Sequence, residues 1–290
     1  MHTYLKSIGF GSLKTEQELE DVLNLVFRKY TDRQAVREDN GTAFVEYSRA
    51  FGPDFGITLC GEMDKNGFHQ EYYFPYFRGT GVTSREDLMV EKHGSQESFA
   101  GVMEDARVGV SLIFYVQNAV AYKKACVDQM LLNQPVSTTF SGLSDKGEIL
   151  LPICKSEEQL QSDREAVSKR NKLIAAARKG DEEAIESLTL EDMDTYSMIS
   201  ERIVTDDVLT IVDTCFMPHG IECDQYSVMG EIVDFVNFKN ILTGEELCQM
   251  TIDCNDIQFD VCINCADLLG EPAVGRRFKG LIWLQGQLHF

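Results

Sequence analysis

Residues 156–179 read S-E-E-Q-L-Q-S-D-R-E-A-V-S-K-R-N-K-L-I-A-A-A-R-K, and Gly180 follows directly. Every feature of this stretch argues for one long helix. Ser156 is an N-cap residue type, and Gln159 three positions on completes a capping box. Glu157 and Glu158 put negative charge on the first turn, and Arg178 and Lys179 put positive charge on the last, as the helix dipole favours. Gly180 suits the left-handed position that ends a helix. Leu160, Val167 and Ile174 recur every seven residues, with Leu173 and Ala177 widening the stripe. At about 1.5 Å per residue such a helix runs roughly 36 Å and lays one narrow face on the body. The alternative role, a coiled-coil partner helix, lacks the ~3–4 heptads that argue for one.

β-patterned sequence lies on both sides. Upstream, Thr3–Phe10 reads as a short strand, and Thr15 caps a helix reaching about Tyr30 whose buried face is Leu19, Val22, Leu23, Val26 and Phe27. Hairpin signals follow at Asn40-Gly41, at Asn66-Gly67 and at Asp145-Lys146-Gly147. The run V-G-V-S-L-I-F-Y-V (108–116) is apolar on both faces, as a strand inside a sheet would be. Residues 1–154 are thus expected to form a helix packed on a mainly antiparallel sheet.

Downstream, Asp181 and Thr189 are each expected to start a helical piece, and residues 155–207 form a helical connecting segment. From Val208 the period returns to two. The segments V-L-T-I-V-D-T-C-F and I-E-C-D-Q-Y-S-V flank the turn M-P-H-G, and four further β-patterned segments follow. Five or six strands in residues 208–290 predict a small barrel, and the link D-L-L-G-E-P before the last strand suits an OB-like one. The fold class is α+β, in two lobes joined by the helical segment.

The 290 residues match two domains at about 150 residues each, and 43% apolar content supplies a real core. No apolar run approaches the ~18 residues of a membrane helix, and the first residues lack a basic segment followed by an apolar one. Nine cysteines, an odd number, then predict free thiols in a reducing compartment, and a cytoplasmic location. The formal charge of −20 is spread along the chain, and residues 208–290 hold four basic and twelve acidic side chains. Nucleic acid and anionic membrane are excluded as main partners, because both would meet repulsion. A small ligand or a protein partner is left, and a homo-oligomer stays open.

Two stretches carry a resemblance: G-D-E-E-A-I-E-S-L-T-L-E-D-M-D-T-Y (180–196) and D-L-L-G-E-P-A-V-G-R-R-F-K-G-L-I-W-L-Q-G (267–286). With R-V-G-V-S-L-I-F-Y (107–115) and G-E-I-L-L-P-I (147–153), the chain resembles an uncharacterised bacterial domain-of-unknown-function family from anaerobic Gram-positive bacteria. The resemblance spans nearly the whole chain. It implies no activity and no site residue.

Chemistry-bearing patterns are few. Gly275-Arg276-Arg277-Phe278-Lys279-Gly280 gathers three of the four basic residues after position 207. Arg276, Arg277 and Lys279 could hold an anion or an acidic partner, with glycine N–H groups approaching the same anion. The plainer alternative has them neutralise nearby carboxylates. Cys215, His219 and Cys223 straddle the M-P-H-G turn, where three metal-ligand types could converge with Asp213 or Asp224. Against this, the two cysteines could pack beneath a hairpin with His219 on its tip. Cys262-x-x-Cys265 is a lone pair of thiols that a strand would send to opposite faces. Glu191, Asp192 and Asp194, with Asp206 and Asp207, could hold a hard cation or simply cap and solvate helix ends. The aromatics of E-Y-Y-F-P-Y-F-R-G (71–79) could line a groove or form a sheet edge, with Pro75 ending the pairing. No nucleophile–base, P-loop, dinucleotide or zinc-protease motif is present.

These patterns call for no cofactor. They favour a non-enzymatic binding or assembly module with its patch at 275–280. The alternative is a metal- or anion-dependent hydrolase with a site between the lobes, for which carboxylates or histidines must converge from distant segments.

Overall fold

The computed structural model describes residues 1–37, 41–93, 98–105, 107–128, 136–153, 157–177, 179–202, 208–221 and 223–290. It begins with a 3₁₀ turn, Thr3–Ile8, where a strand is expected. Tyr4, Leu5 and Ile8 are its buried apolar residues, and Gly9 closes it at φ 83° by returning its N–H to Leu5 and Lys6. The spacing is helical, so no alternating face exists for a sheet to use. Helix α1 (Glu16–Arg28) follows, with Thr15 and Glu18 forming a reciprocal capping box.

Four strands then make an antiparallel meander: β1 (Asp32–Arg37), β2 (Ala43–Ala50), β3 (Phe55–Asp64) and β4 (Gly67–Phe77). Asn66-Gly67 turns β3 into β4 as its sequence predicts. Gly41 adopts φ 85° between β1 and β2, while Asn40 lies outside the described residues. Pro75 does not end the pairing of β4: it faces Ile57, and the ladder continues to Phe77. β4 is an edge, so its missing N–H deprives no neighbour.

The second sheet has ten strands. The first three extend it beyond the barrel: β5 (Leu88–His93), β6 (Ser98–Glu104) and β7 (Ser111–Val116). After helix α2 (Ala119–Val127) comes β8 (Ser137–Leu150), one continuous strand. The hairpin expected at Asp145-Lys146-Gly147 is absent. Leu281 faces Lys146 and Ile282 faces Ser144, so Asp145 is the extra residue of a bulge. Gly147 serves packing rather than turning: a Cβ there would lie 2.4 Å from the Phe278 ring.

The helical middle is an antiparallel pair, α3 (Glu157–Ala177) and α4 (Glu182–Arg202). Gly180 at φ 85° ends α3, and the Asp181 carboxylate caps α4 by accepting from Glu183 and Ala184 N–H. Thr189 starts nothing; its hydroxyl donates to the Ile185 carbonyl inside a continuous α4. Ser156, Arg178 and the side chains of Leu160 and Val167 lie outside the described residues. Residues 208–216, expected as a strand, split into the short α5 (Val208–Ile211) and β9 (Cys215–Pro218). The two strands expected over 221–238 are one, β10 (Gln225–Lys239), irregular at Val233. β11 (Glu246–Cys254), β12 (Ile257–Asn264), the two-residue β13 (Leu268–Leu269) and β14 (Arg277–His289) complete the chain. Among the described residues, no helix is long and apolar enough to cross a membrane.

A closed five-stranded barrel is present as expected, in the cyclic order β8–β12–β11–β10–β14, but only four of its strands come from residues 208–290; the fifth, β8, comes from the span assigned to the N-terminal domain. Only the β12–β8 pair is parallel. This is the OB pattern with the strand that normally comes last supplied first, from upstream of the helical pair. Val228, Met250, Ile252, Val261, Ile263, Phe278, Ile282 and Leu284 fill it. The four-stranded sheet packs on the barrel's outside, where Leu143, Leu247, Cys262 and Trp283 join its core.

One buried knot ties the two layers. Gln285 of β14 donates from Nε2 to the Pro75 carbonyl (2.8 Å), and its Oε1 accepts from Phe77 N–H (3.1 Å) and Gln117 Nε2 (2.7 Å). Its amide thus takes the place of a strand beside β4. Gln285→Leu is expected to strand these groups in the interior and to cost about 3 kcal/mol in urea unfolding.

Candidate functional site

The three cations of residues 276–279 do not converge. Arg277 is buried: Nε donates to the Leu151 carbonyl, Nη1 to Val212 and Nη2 to Leu209, at 3.1, 2.9 and 2.8 Å. It bolts the ends of α5 and β8 to the barrel. Lys279 pairs with Glu148 on the neighbouring strand at 2.7 Å, and Arg276 donates to the Glu271 carbonyl on its own loop.

The other sequence candidates are likewise dispersed. Cys215 opens β9, while His219 and Cys223 lie exposed beyond its end. Among the described residues, no group of three or more His, Cys, Asp or Glu is placed to hold a metal. Cys262 is buried and donates to the Ser7 carbonyl, whereas Cys265 begins the 3₁₀ turn that follows β12. The eight described cysteines are free thiols. Glu191 and Asp192 sit mid-helix rather than on a first turn, paired with Lys169 and Arg170 of α3 at 2.8 Å each. Asp206 and Asp207 lie outside the described residues. In residues 71–79, Phe74 and Tyr76 are buried and Phe74 packs on Tyr115. The run is core and sheet edge.

A different set of residues shapes a cleft where the end of α3 meets the body. Its fixed centre is Arg107, which grips the buried Asp105 with Nε at 2.9 Å and Nη2 at 2.6 Å. Nη2 also reaches the Thr83 carbonyl, and Nη1 reaches the Asp256 carbonyl. Four of the five guanidinium hydrogens are engaged, leaving one on Nη1. Ser84 Oγ donates to the same Asp105 at 2.9 Å. Burial pushes the Asp105 carboxyl up, but hydrogen bonds and charge from Arg107 outweigh it and hold the group below its ordinary value. Asp256 belongs to the tight turn between β11 and β12, where Asn255 and Asp256 both take left-handed φ, 56° and 61°. Asn and Asp tolerate that region best after Gly, and Thr214 holds Asn255 by donating to its side chain.

Two hollows share Arg107 and Ile174 of α3. The first, about 690 Å³, adds Arg85, Glu86 and Lys179. The second, about 450 Å³, adds Arg170, Asp213 and Asp253. Arg85 and Lys179 are exposed, and neither forms an ion pair among the described residues. No sequence pattern marks this set, because its members come from a strap before β5, a loop after β6, the end of α3 and the turn that follows it. The −6 charge of residues 1–154 hides Arg85 and Arg107 further.

A buried carboxyl stands apart from the cleft. Glu46 of β2 faces Cys60 across the ladder, and the Val120 N–H at the start of α2 approaches it at 3.4 Å. Burial lifts its pKa to about 8, against a smaller lowering by that N–H.

The family model described as "Domain of unknown function, E. rectale Gene description (DUF3881)" matches residues 5–286, and the chain belongs to that family. The family is named from an anaerobic Gram-positive bacterium, and no activity is known for it. No curated protein and no solved structure matches.

Arg277→Leu is expected to lose about 2 kcal/mol in urea unfolding, since three carbonyls lose the donor that a buried guanidinium supplies, while Lys279→Gln changes stability by under about 0.5 kcal/mol. For Glu46 the folded chain keeps its proton up to about pH 8, whereas the unfolded chain releases it near 4.5. The folded state binds more protons in that window, so stability falls as pH rises through it. Glu46→Gln should flatten the fall and exceed the parent at pH 8 by on the order of 3 kcal/mol, read from unfolding across pH 5–9.

Proposed function

We propose that this member of a family of unknown function is a binding module that takes a small phosphate- or carboxylate-bearing ligand in the cleft at Arg107. The observation that carries this reading is the meeting of Arg85 and Lys179, both without an ion pair among the described residues, over a floor fixed by Arg107. In a chain of charge −20, two such cations facing one concavity make a local positive field. Low-dielectric walls, here Val82, Ile174 and Ala175, focus it. The floor costs little to organise on binding, because Asp105, Ser84 and the β11–β12 turn already hold Arg107.

The anion-binding role expected at Arg276, Arg277 and Lys279 passes to this cleft on the same logic. A guanidinium whose donors are spent on carbonyl oxygens, like Arg277, has little left for a ligand.

Thermal unfolding in a titration of inorganic pyrophosphate, and in parallel of citrate, tests the proposal. Wild type should gain stability as RT ln(1 + [L]/Kd), roughly 2.7 kcal/mol at a hundredfold excess over Kd. Arg85→Glu with Lys179→Glu should abolish the gain, and Lys279→Gln should keep it. A gain that survives in the double variant, or no gain in wild type with either anion, rejects the assignment.

A further inference from the structure

Strand β5 is the free border of the ten-stranded sheet: it pairs with β6 on one side, and no described strand lies on the other. A border strand offers an unpaired row of backbone N–H and C=O groups. Beside it a groove of about 480 Å³ opens over the ends of β5, β6 and β7. Its floor is apolar. Met89, 62% exposed, faces Val102 across the ladder on the solvent side, while the Leu88–Met103 pair turns to the core. Its rim is acidic: Glu86, Asp87 and Glu104 line it, and no Lys or Arg does.

The geometry points to a docking edge for an extended, basic peptide segment of another protein, added to β5 as an eleventh strand. Main-chain pairing would supply the affinity, and alternate side chains the choice of partner. An extended segment presents side chains to opposite faces in turn, so apolar residues of one parity would flank Met89 on its solvent face and extend the apolar row that Val102 continues on β6. Lysine or arginine flanking them would meet Asp87 and Glu104. The three rim carboxylates and the overall charge of −20 favour a cationic segment and disfavour an acidic one. They also oppose pairing with a second copy, whose edge would bring a like-charged rim. Glu86 borders both this groove and the Arg107 cleft, but Asp87, Met89, Val102 and Glu104 do not line the cleft, and either assignment stands without the other.

The test is fluorescence anisotropy with a labelled ten-residue peptide of alternating Lys and Val. Its controls are a Glu–Val peptide and a Lys–Val peptide N-methylated at alternate residues. Wild type should bind the first at least tenfold more tightly than either control. Asp87→Lys with Glu104→Lys should weaken that binding at least tenfold, and so should the milder Met89→Lys. Unfolding curves confirm that each variant folds. Equal binding of the N-methylated peptide would reduce the contact to charge alone and overturn edge pairing. Equal binding of the Glu–Val peptide, unchanged binding by both variants, or no binding by wild type would each overturn the proposal. So would a wild-type dimer on size exclusion that Met89→Lys dissociates, since the occupant would then be a second copy.

Discussion

A side-chain amide stands where a β-strand would be expected. β4 ends its sheet, and its last carbonyl and N–H groups, at Pro75 and Phe77, turn inward toward the barrel rather than toward water. Buried main-chain groups must be paired, and no strand is there to pair them. Gln285 supplies one donor and one acceptor from a single side chain, with Gln117 and Ser141 adding donors to the Phe77 carbonyl. Because Gln285 sits on β14, the same residue that satisfies the small sheet belongs to the strand that closes the barrel. Proline at position 75 is tolerated only because this neighbour needs a carbonyl there and no N–H.

Barrel closure places a second demand on β14. Along its length it pairs with β8, β10 and, at Gln285 and Gly286, with β7. Three partners on two edges require it to bend, and the irregularity between Leu281 and Ile282, opposite the bulged Asp145, is where it does so. Even-numbered residues of β14 then fill the barrel. Trp283 and Gln285 reach out to the small sheet. The bend makes one strand serve two cores.

The body built this way is braced by hydrogen bonds at the cleft. Arg107 joins three segments far apart in sequence through one guanidinium, and the paired left-handed residues Asn255 and Asp256 are held in place by it and by Thr214. The opposite wall is α3, whose ion pairs run to α4. A fixed floor under a helical wall leaves exposed cations, rather than backbone, at the mouth of the cleft.

Sequence alone determined the elements whose signals are local. Thr15 and Glu18 lie three residues apart and cap α1 by themselves; Asn66-Gly67 turns a hairpin within four residues; Gly180 ends α3 by its own φ. The barrel and the antiparallel sheet beside a helix were also legible, as runs of period two. Tertiary structure alone decided where β8 goes, because Asp145-Lys146-Gly147 carries the same composition whether it turns or bulges, and Phe278 chooses. It also decided which arginine is spent on carbonyl oxygens and which forms no ion pair among the described residues. Arg277 and Arg85 look alike in sequence, but the carbonyls that consume Arg277 come from up to 126 residues away. Local patterns report interactions within a few residues of chain; the partners of a buried charge are fixed by which distant surfaces meet.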